Sequence, residues 1–312
     1  MKVVYGIGNF EKAAKEDKVV TVGVFDGVHL GHQKILKSLV KKARETKTKS
    51  AVVTFADHPS RILYPPENIP ALTCLQHKIE FIEGLGVDYC YVLYFNDHLA
   101  GMPAEDFVSD ILIKRVGMKA LYVGEDFRLG KNATGDAAVL KKLALKFSFD
   151  LRIFRHLKKK SRIVSSTLIR LLISQGKLKL AQELLGRRVS FLGKIVKGEG
   201  RGRALGFPTA NVEPYHEVLA PYGIYLSFAI IENSTHRSLA YIGSKPTFQS
   251  DPQKRSIEIF LFGKHPELYG KVIEVQLIKK LRDDLKFPSK DSLISQMNLD
   301  VKKAKSFFKN LK

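Results

Sequence analysis

The sequence predicts two domains of different class, an α/β domain built on a parallel sheet and then an antiparallel β-barrel that ends in a helix. Three observations predict this. The chain has 312 residues, and at roughly 100–200 residues per domain two domains are expected. Its first half alternates valine-rich apolar runs with helix-periodic segments, the pattern of a parallel sheet covered by helices. After Gly186 the helical periods stop, and short strand-like runs separated by turn residues take over.

Residues 18–25 read as a buried strand. The helix expected over about 33–46 places Ile35, Leu36, Leu39, Val40 and Ala43 on one face. Residues 50–55 form the next strand; helical residues near 76–84 lead to a strand at 89–94, and a helix near 104–116 leads to one at 119–123. A helix near 136–147 precedes a strand at 150–155. Ligands of such sheets bind at the carboxyl ends of the strands. In the second half the candidate strands are 188–197, 223–231, 238–243, 255–262 and 271–280, with turns such as GEGRG, NSTH and SDPQ between them. The last helix, about 289–310, carries Leu293, Met297, Val301, Ala304 and Phe308 at apolar positions, with Ser289 as its cap. The boundary is expected near 184–187, giving domains 1–184 and 185–312.

Hydrophobic residues make up 45% and charged residues 27% of the chain, enough for an ordinary core in each half. No segment approaches the roughly 20 apolar residues needed to span a bilayer, and the opening residues lack the apolar stretch of a secretory signal. The two cysteines, Cys74 and Cys90, fit neither a metal-ligand spacing nor a disulfide framework. A cytoplasmic protein without membrane partners is therefore expected, its oligomeric state left open. The net charge of +21 has two readings, a nucleic-acid-binding surface or sites for polyanionic nucleotides on a lysine-rich chain. The lysines are scattered, and the one tight run, Lys158 to Lys160, reads as a loop. No RNA-binding aromatic signature accompanies it, so nucleotide chemistry ranks above nucleic-acid binding.

The first chemical constellation directly follows the first predicted strand: Gly23-Val24-Phe25-Asp26-Gly27-Val28-His29-Leu30-Gly31-His32. Its glycines allow a tight turn and close approach to a ligand. The histidines, three apart at a helix start, can project toward one point, where helix N–H groups and a partial positive charge suit a phosphate. Imidazoles there can donate to charge that builds on oxygen during attack at phosphorus. A lone histidine would more often be a cap or a surface residue, whereas H-x-G-H between strand and helix favours function. A second cluster, Ser165-Ser166-Thr167-Leu168-Ile169-Arg170, opens another helix with hydroxyls and a guanidinium fork. Alone it could be a simple N-cap.

Together these stretches resemble the paired motifs of the nucleotidyltransferase superfamily, and most closely the adenylyltransferase half of prokaryotic bifunctional riboflavin kinase/FAD synthetases. Thr54-Phe55-Ala56-Asp57-His58-Pro59 and Val123-Gly124-Glu125-Asp126-Phe127-Arg128-Leu129-Gly130 are similar to that family too. The family often has proline where Asp57 stands and phenylalanine where Leu129 stands. The resemblance implies a Rossmann-like nucleotidyltransferase domain in which Gly23, Phe25, Asp26, His29, His32, Ser165, Ser166, Thr167 and Arg170 bind ATP. It places His58 and Asp126 beside the nucleotide or flavin, the alternatives being a turn residue before proline for His58 and a loop-ordering carboxylate for Asp126. The implied reaction is direct attack of the FMN phosphate on the α-phosphorus of ATP, with positioning and charge stabilisation supplying the catalysis.

The second constellation is Gly198-Glu199-Gly200-Arg201-Gly202-Arg203-Ala204-Leu205-Gly206-Phe207-Pro208-Thr209-Ala210-Asn211. Glycine-rich backbone can offer N–H donors to phosphate, although composition alone equally allows a flexible basic hairpin. Gly206 to Asn211 (GFPTAN) closely resembles the riboflavin kinase signature. It implies a six-stranded barrel in which Thr209 and Asn211 hold Mg²⁺ and ATP phosphate. Gly198, Gly200, Gly202, Arg203, Gly206 and Pro208 are the further ATP-binding candidates. Gly243-Ser244-Lys245-Pro246-Thr247-Phe248 resembles the family's G-x-x-P-T-F element, with Tyr241 where asparagine is usual. Glu258 stands between Ile257 and Ile259, where strand alternation alone also allows a solvent-facing glutamate, and the resemblance makes it the base that draws the proton from the riboflavin 5′-hydroxyl. Leu268-Tyr269-Gly270 and residues 281–287 resemble late motifs of the family. Arg282 and Phe287 are candidates to border the flavin, a solvated loop being the alternative. The expectation is a bifunctional FAD-forming enzyme acting on riboflavin, FMN and ATP. The alternative is that only one activity is retained.

Overall fold

The computed structural model describes residues 1–13, 16–59, 70–198, 200–215, 218–244, 255–263 and 267–311. The chain divides into two compact units, Met1–Ser166 and Thr167–Lys312.

The first unit is built on a six-stranded, wholly parallel sheet. Its strands are β1 (Lys2–Tyr5), β2 (Lys18–Val22), β3 (Lys49–Phe55), β4 (Tyr89–Leu93), β5 (Met118–Gly124) and β6 (Asp150–Phe154), in the order β1-β4-β3-β2-β5-β6. Apolar groups line both faces, which is why the central strands read as continuous apolar runs. Val19, Val52 and Ala120 pack on Leu36, Leu39, Val40 and Ala43 of helix α1 (Leu30–Glu45) and on Ile82 of helix α2 (Leu75–Glu83). Val20, Val53 and Leu121 face the helical residues Ile111, Leu112, Leu140 and Leu143 on the other side. The chain leaves β2 toward β3 and returns beside β2 as β5. The carboxyl end of β2 is therefore the topological switch point, where such sheets open a ligand crevice.

Three local features depart from expectation. Strand β1 was not foreseen; it is four residues long and pairs only with β4 at the sheet edge. The helix expected over 104–116 is a short turn, Ala104–Asp106, followed by a wide π-type helix, Phe107–Val116, which Gly117 ends at φ 81°. The lysine run is not a loop but the first strand of a hairpin, β7 (Lys158–Lys159) and β8 (Arg162–Ile163). Its two turn residues, Lys160 and Ser161, have φ of 49° and 63°, and positive φ at both positions is what a type I′ hairpin turn requires.

In the second unit two helices (the first, Ser166–Ser174, beginning at the division itself, and Leu178–Leu185) precede a closed antiparallel barrel. Its strands are β9 (Val189–Val196), β10 (Ala210–Pro214), β11 (Gly223–Ile231), β12 (Ser234–Ser244), β13 (Arg255–Leu261) and β14 (Val272–Arg282). The order is β10-β13-β12-β11-β14-β9. Strand β10 was not expected from periodicity; it pairs with both β9 and β13 and completes the barrel. The final helix, Lys290–Asn310, starts at a Ser289 capping box with Ser292. Its Phe308 is 2% exposed and packs against Phe228 and Phe262, with ring centroids 5.7 and 5.8 Å away. Phe308→Ala is expected to cost about 3–5 kcal/mol of stability, read as a lowered Tm of the barrel transition by calorimetry.

Candidate active site

At the switch point the backbone leaves β2 through a tight, strained turn. Phe25 and Gly27 have φ of 52° and 78°, and Val28, a β-branched residue, has φ 38°. Such a conformation in valine persists only where the surroundings enforce it. The enforcement is visible. Asp26, 6% exposed, accepts hydrogen bonds at Oδ1 from Leu72 N–H (2.8 Å) and Thr73 N–H (3.1 Å), and Gly27 N–H donates to Thr73 Oγ1 (3.1 Å). Gly27 combines φ 78° with a site where an added Cβ would lie 2.7 Å from Leu72 Cδ1, so any other residue there is strained and must push Leu72 aside.

His29 then caps α1, accepting at Nδ1 from His32 N–H (3.4 Å). Acceptance at Nδ1 leaves Nε2 to carry the ring proton of the neutral imidazole. The two imidazoles stack, with centroids 3.6 Å apart and planes 16° from parallel. Phe25 meets His32 edge-on at 5.2 Å. The two rings thus form one block at the helix N-terminus.

The serine cluster comes to the same place. Ser166 Oγ donates to the Asp26 carbonyl (2.9 Å), and a Cβ on Gly31 would lie 3.1 Å from the His29 ring and 3.8 Å from the Val164 carbonyl oxygen. Ser165 lies between those two positions and is half-buried. His58 lies half-buried in the turn after β3, and Asp126 lies exposed in the turn after β5, so both follow strands that flank β2. The Asp126 carboxylate folds back over its own turn, within 3.0 Å of where a Cβ on Gly124 would stand. Gly23 N–H bonds the Val53 carbonyl (3.1 Å), tying the start of the motif to β3. Thr167 and Arg170 sit on the helix Ser166–Ser174, within the second unit.

In the barrel the second constellation folds as one helical turn, Arg201–Ala204, entered by Gly200 at φ 70° and left by Gly206 at φ 84°. Arg203, Gly206 and Pro208 are exposed along it. Gly198 and Gly202 serve close approach instead. A Cβ on Gly198 would collide with the Asn211 amide, and one on Gly202 would lie 2.5 Å from the Phe207 carbonyl oxygen and 2.8 Å from Thr209 Oγ1. Gly198→Ala therefore forces the Asn211 amide out of its present position. Glu199 and residues 245–248 of the G-x-x-P-T-F element lie outside the described residues.

Thr209 Oγ1 donates to Glu258 Oε2 at 2.8 Å. Asn211 stands opposite Glu258 across β10 and β13, and Glu258 stands opposite Tyr241 across β12. Tyr241 is opposite Ile224, and Ile224 is opposite Arg282. Residues directly opposite share a face, so Asn211, Glu258, Tyr241 and Arg282 fall in one row around one end of the barrel. Ile257 and Ile259 turn the other way, into the core. Burial, and then the Asp284 carboxylate, push the Tyr241 phenol up to about 12; its proton stays and is donated to Asp284 Oδ2 (3.3 Å). Arg282 donates from Nε to Asp300 Oδ2 (2.9 Å), and its guanidinium lies 5.7 Å from the Phe287 ring centroid. Arg282 and Phe287 therefore meet, and Gln296 fixes the other Asp300 oxygen (2.9 Å).

Sequence reading missed Leu72, Thr73, Tyr241 as a site wall, and Asp300. The first two act through backbone and a hydroxyl from 46 residues away in the chain, and no local pattern signals that. Asp300, on the inner side of an amphipathic helix and 3% exposed, is a carboxylate at a core position, and that mismatch is the signal that could have found it.

The sequence model of the FAD synthetase family matches residues 11–168, and that of the riboflavin kinase family matches residues 185–308. A protein of Buchnera aphidicola subsp. Schizaphis graminum named bifunctional riboflavin kinase/FMN adenylyltransferase is 34% identical over 310 residues, 99% of each chain. The protein of the same name from Escherichia coli K12 is 34% identical over 310 residues, 99% of this chain and 98% of its own. A crystal structure described as a macrolide-efflux protein from Streptococcus pneumoniae superposes over 100% of both chains with a TM-score of 0.86 and 27% identity. Among the described residues no helix is long and apolar enough to cross a membrane.

Proposed function

This chain belongs to the family of bifunctional riboflavin kinase/FMN adenylyltransferases, and on that premise we propose how its two sites share the work. The enzyme makes FAD in two steps: riboflavin and ATP give FMN and ADP, then FMN and a second ATP give FAD and pyrophosphate. We assign the second step to residues 1–184 and the first to residues 185–312.

In the kinase site the reading rests on one observation, the Thr209–Glu258 hydrogen bond of 2.8 Å. Glu258 is the general base: it takes the proton of the riboflavin 5′-hydroxyl as that oxygen attacks the γ-phosphorus of ATP. Thr209 holds the carboxylate in one rotamer by donating its single hydroxyl proton to it. The lone pairs of Thr209 Oγ1, which a hydroxyl keeps when it donates, are then available to a cation. With the Asn211 amide oxygen they form an oxygen donor set of the kind Mg²⁺ takes when it shares its shell with water and phosphate. Among the described residues no group of three or more His, Cys, Asp or Glu side chains could hold an ion alone, which fits a metal brought in with the nucleotide. Thr209 and Asn211 would hold it, and it would neutralise charge on the β- and γ-phosphates. The glycine-rich turn through Gly198, Gly200, Gly202, Arg203, Gly206 and Pro208 borders the ATP, and Arg282 stacked near Phe287 borders the flavin.

In the adenylyltransferase site no protein nucleophile is needed. His29 and His32 donate to the phosphate oxygens as charge builds during attack of the FMN phosphate on the α-phosphorus. Ser165, Ser166, Thr167 and Arg170 hold the triphosphate, and Gly23, Phe25 and Asp26 shape the loop beneath it. His58 and Asp126 border the nucleotide or flavin. Nucleic acids and membranes fall outside the partners, and the setting is the cytoplasm.

Incubation of the full chain with riboflavin, ATP and Mg²⁺, followed by chromatography of the flavins, tests this reading. FMN should appear first and FAD after it, and EDTA in excess should remove both products. A mixture that yields neither product would overturn the assignment.

A further inference from the structure

Lys78 is a buried charge that neither reaction step above uses. It is 5% exposed and belongs to α2. Its Nζ donates to the Phe55 carbonyl (2.8 Å) and the Val24 carbonyl (3.1 Å). Phe55 is the last residue of β3, and Val24 lies two residues beyond the end of β2. Val24 also accepts from Thr54 Oγ1 (3.2 Å). One ammonium therefore bridges the ends of two adjacent central strands, at the starts of the two motif turns that carry His29 and His58.

The location has an electrostatic consequence. A sheet has little net dipole, but the Val24 and Phe55 carbonyl oxygens each carry partial negative charge where the chain leaves β2 and β3 for the ligand crevice. A triphosphate bound there is repelled by every such oxygen whose charge is not offset. Lys78 covers two of them with a positive charge and fixes their spacing. The segment that carries it also grips the loop at Asp26 and Gly27 through Leu72 and Thr73, so residues 72–78 act as one clamp on residues 24–27.

We propose that Lys78 is a positioning residue for adenylylation, whose ammonium locks the ends of β2 and β3 and offsets their carbonyl charge beneath the ATP triphosphate. This rests on the reading of the switch-point crevice as the ATP site. The groups facing Lys78 are Asp26 after β2, Asp57 after β3, Cys74 capping its own helix and Cys90 on β4. Burial holds the Cys90 thiol up at about 12, so it stays neutral. Burial, only partly offset by Asp26, lowers the Lys78 ammonium from 10.5 to about 8.

This value separates a charge role from a purely structural one. Above about pH 8 the neutral amine still has two N–H groups, enough for both carbonyls, so a structural clamp would survive deprotonation while the charge would not. The sign of the stability effect is opposite to that of the activity effect. A lysine whose folded value lies below its unfolded value costs stability while charged, and this cost is relieved as pH rises from about 8 toward 10.5. Loss of adenylylation in this window is therefore not unfolding at this residue.

The experiment measures the KM for ATP in both reactions of the full chain, with FMN or riboflavin supplied, from about pH 7 to about pH 9.5. The charged fraction falls about tenfold per unit above the titration point, and apparent affinity falls with it until it reaches the level of the uncharged form, about tenfold weaker. The KM for ATP in adenylylation is thus expected to rise about tenfold by pH 9.5, with the kinase KM flat to about twofold. Lys78→Arg keeps its charge throughout and should flatten the profile, whereas Lys78→Met should raise the adenylylation KM about tenfold at neutral pH and remove its pH dependence. A wild-type adenylylation KM that stays flat across the range overturns the proposal, and so does a folded Lys78→Met with an unchanged KM. If neither variant folds, the wild-type profile decides. Failure of the underlying ATP-site reading looks different, because then the wild type forms no FAD at any pH.

Discussion

Glu258→Gln is expected to lower FMN formation by about 10²–10⁴-fold, the usual contribution of a positioned base, while FAD formation from supplied FMN stays at the wild-type rate. Glutamine keeps the volume and one carbonyl oxygen, so Thr209 Oγ1 can still donate to it. What the amide cannot do is accept the proton of an attacking hydroxyl. The barrel should not unfold, because Glu258 is only half-buried and its strand neighbours Ile257 and Ile259 carry the core contacts. The measurement is kcat for each half-reaction in the same preparation. A kcat for phosphorylation within a few-fold of wild type would remove Glu258 from the role of base.

The second large effect runs the other way. His29→Asn combined with His32→Asn should lower adenylylation of FMN by at least about 10²–10³-fold, the cost of losing one charge-stabilising donor in a preorganised site, and leave phosphorylation of riboflavin untouched. Flavin chromatography then shows FMN accumulating from riboflavin without FAD. Because the rings stack at 3.6 Å and His32 N–H bonds His29 Nδ1, the two substitutions are coupled. The loss in the double variant should be smaller than the product of the single losses. A double variant that makes FAD at the wild-type rate would separate the histidine pair from the chemistry.

The two motif regions were legible in the sequence because the information is local. Gly23 to His32 runs from strand into helix without interruption, and the glycine and histidine spacing alone specifies a tight turn with two imidazoles on the first helical turn. The Thr209-to-Asn211 stretch was equally readable as a ligand set, though not as strand β10, since its first residues resemble a loop and its partners lie on β9 and β13. Lys78 was not legible. In an amphipathic helix a lysine next to a histidine reads as a solvated face, and only the fold turns it inward toward carbonyls 54 and 23 residues away. Nor was the row Asn211–Glu258–Tyr241–Arg282 visible, because it depends on the register of strands that are far apart in the chain.

The sequence by itself determined the two fold classes, the order of the motifs and the chemical character of each candidate residue, since periodicity and short-range spacing act over one or two elements. The tertiary structure alone decided which of those residues meet: that Ser166 reaches the Asp26 carbonyl across 140 residues, that Glu258 lies under Thr209, and that a buried ammonium ties β2 to β3. The physical reason is that side-chain contacts of this range are set by sheet order and strand register, which local propensity does not encode.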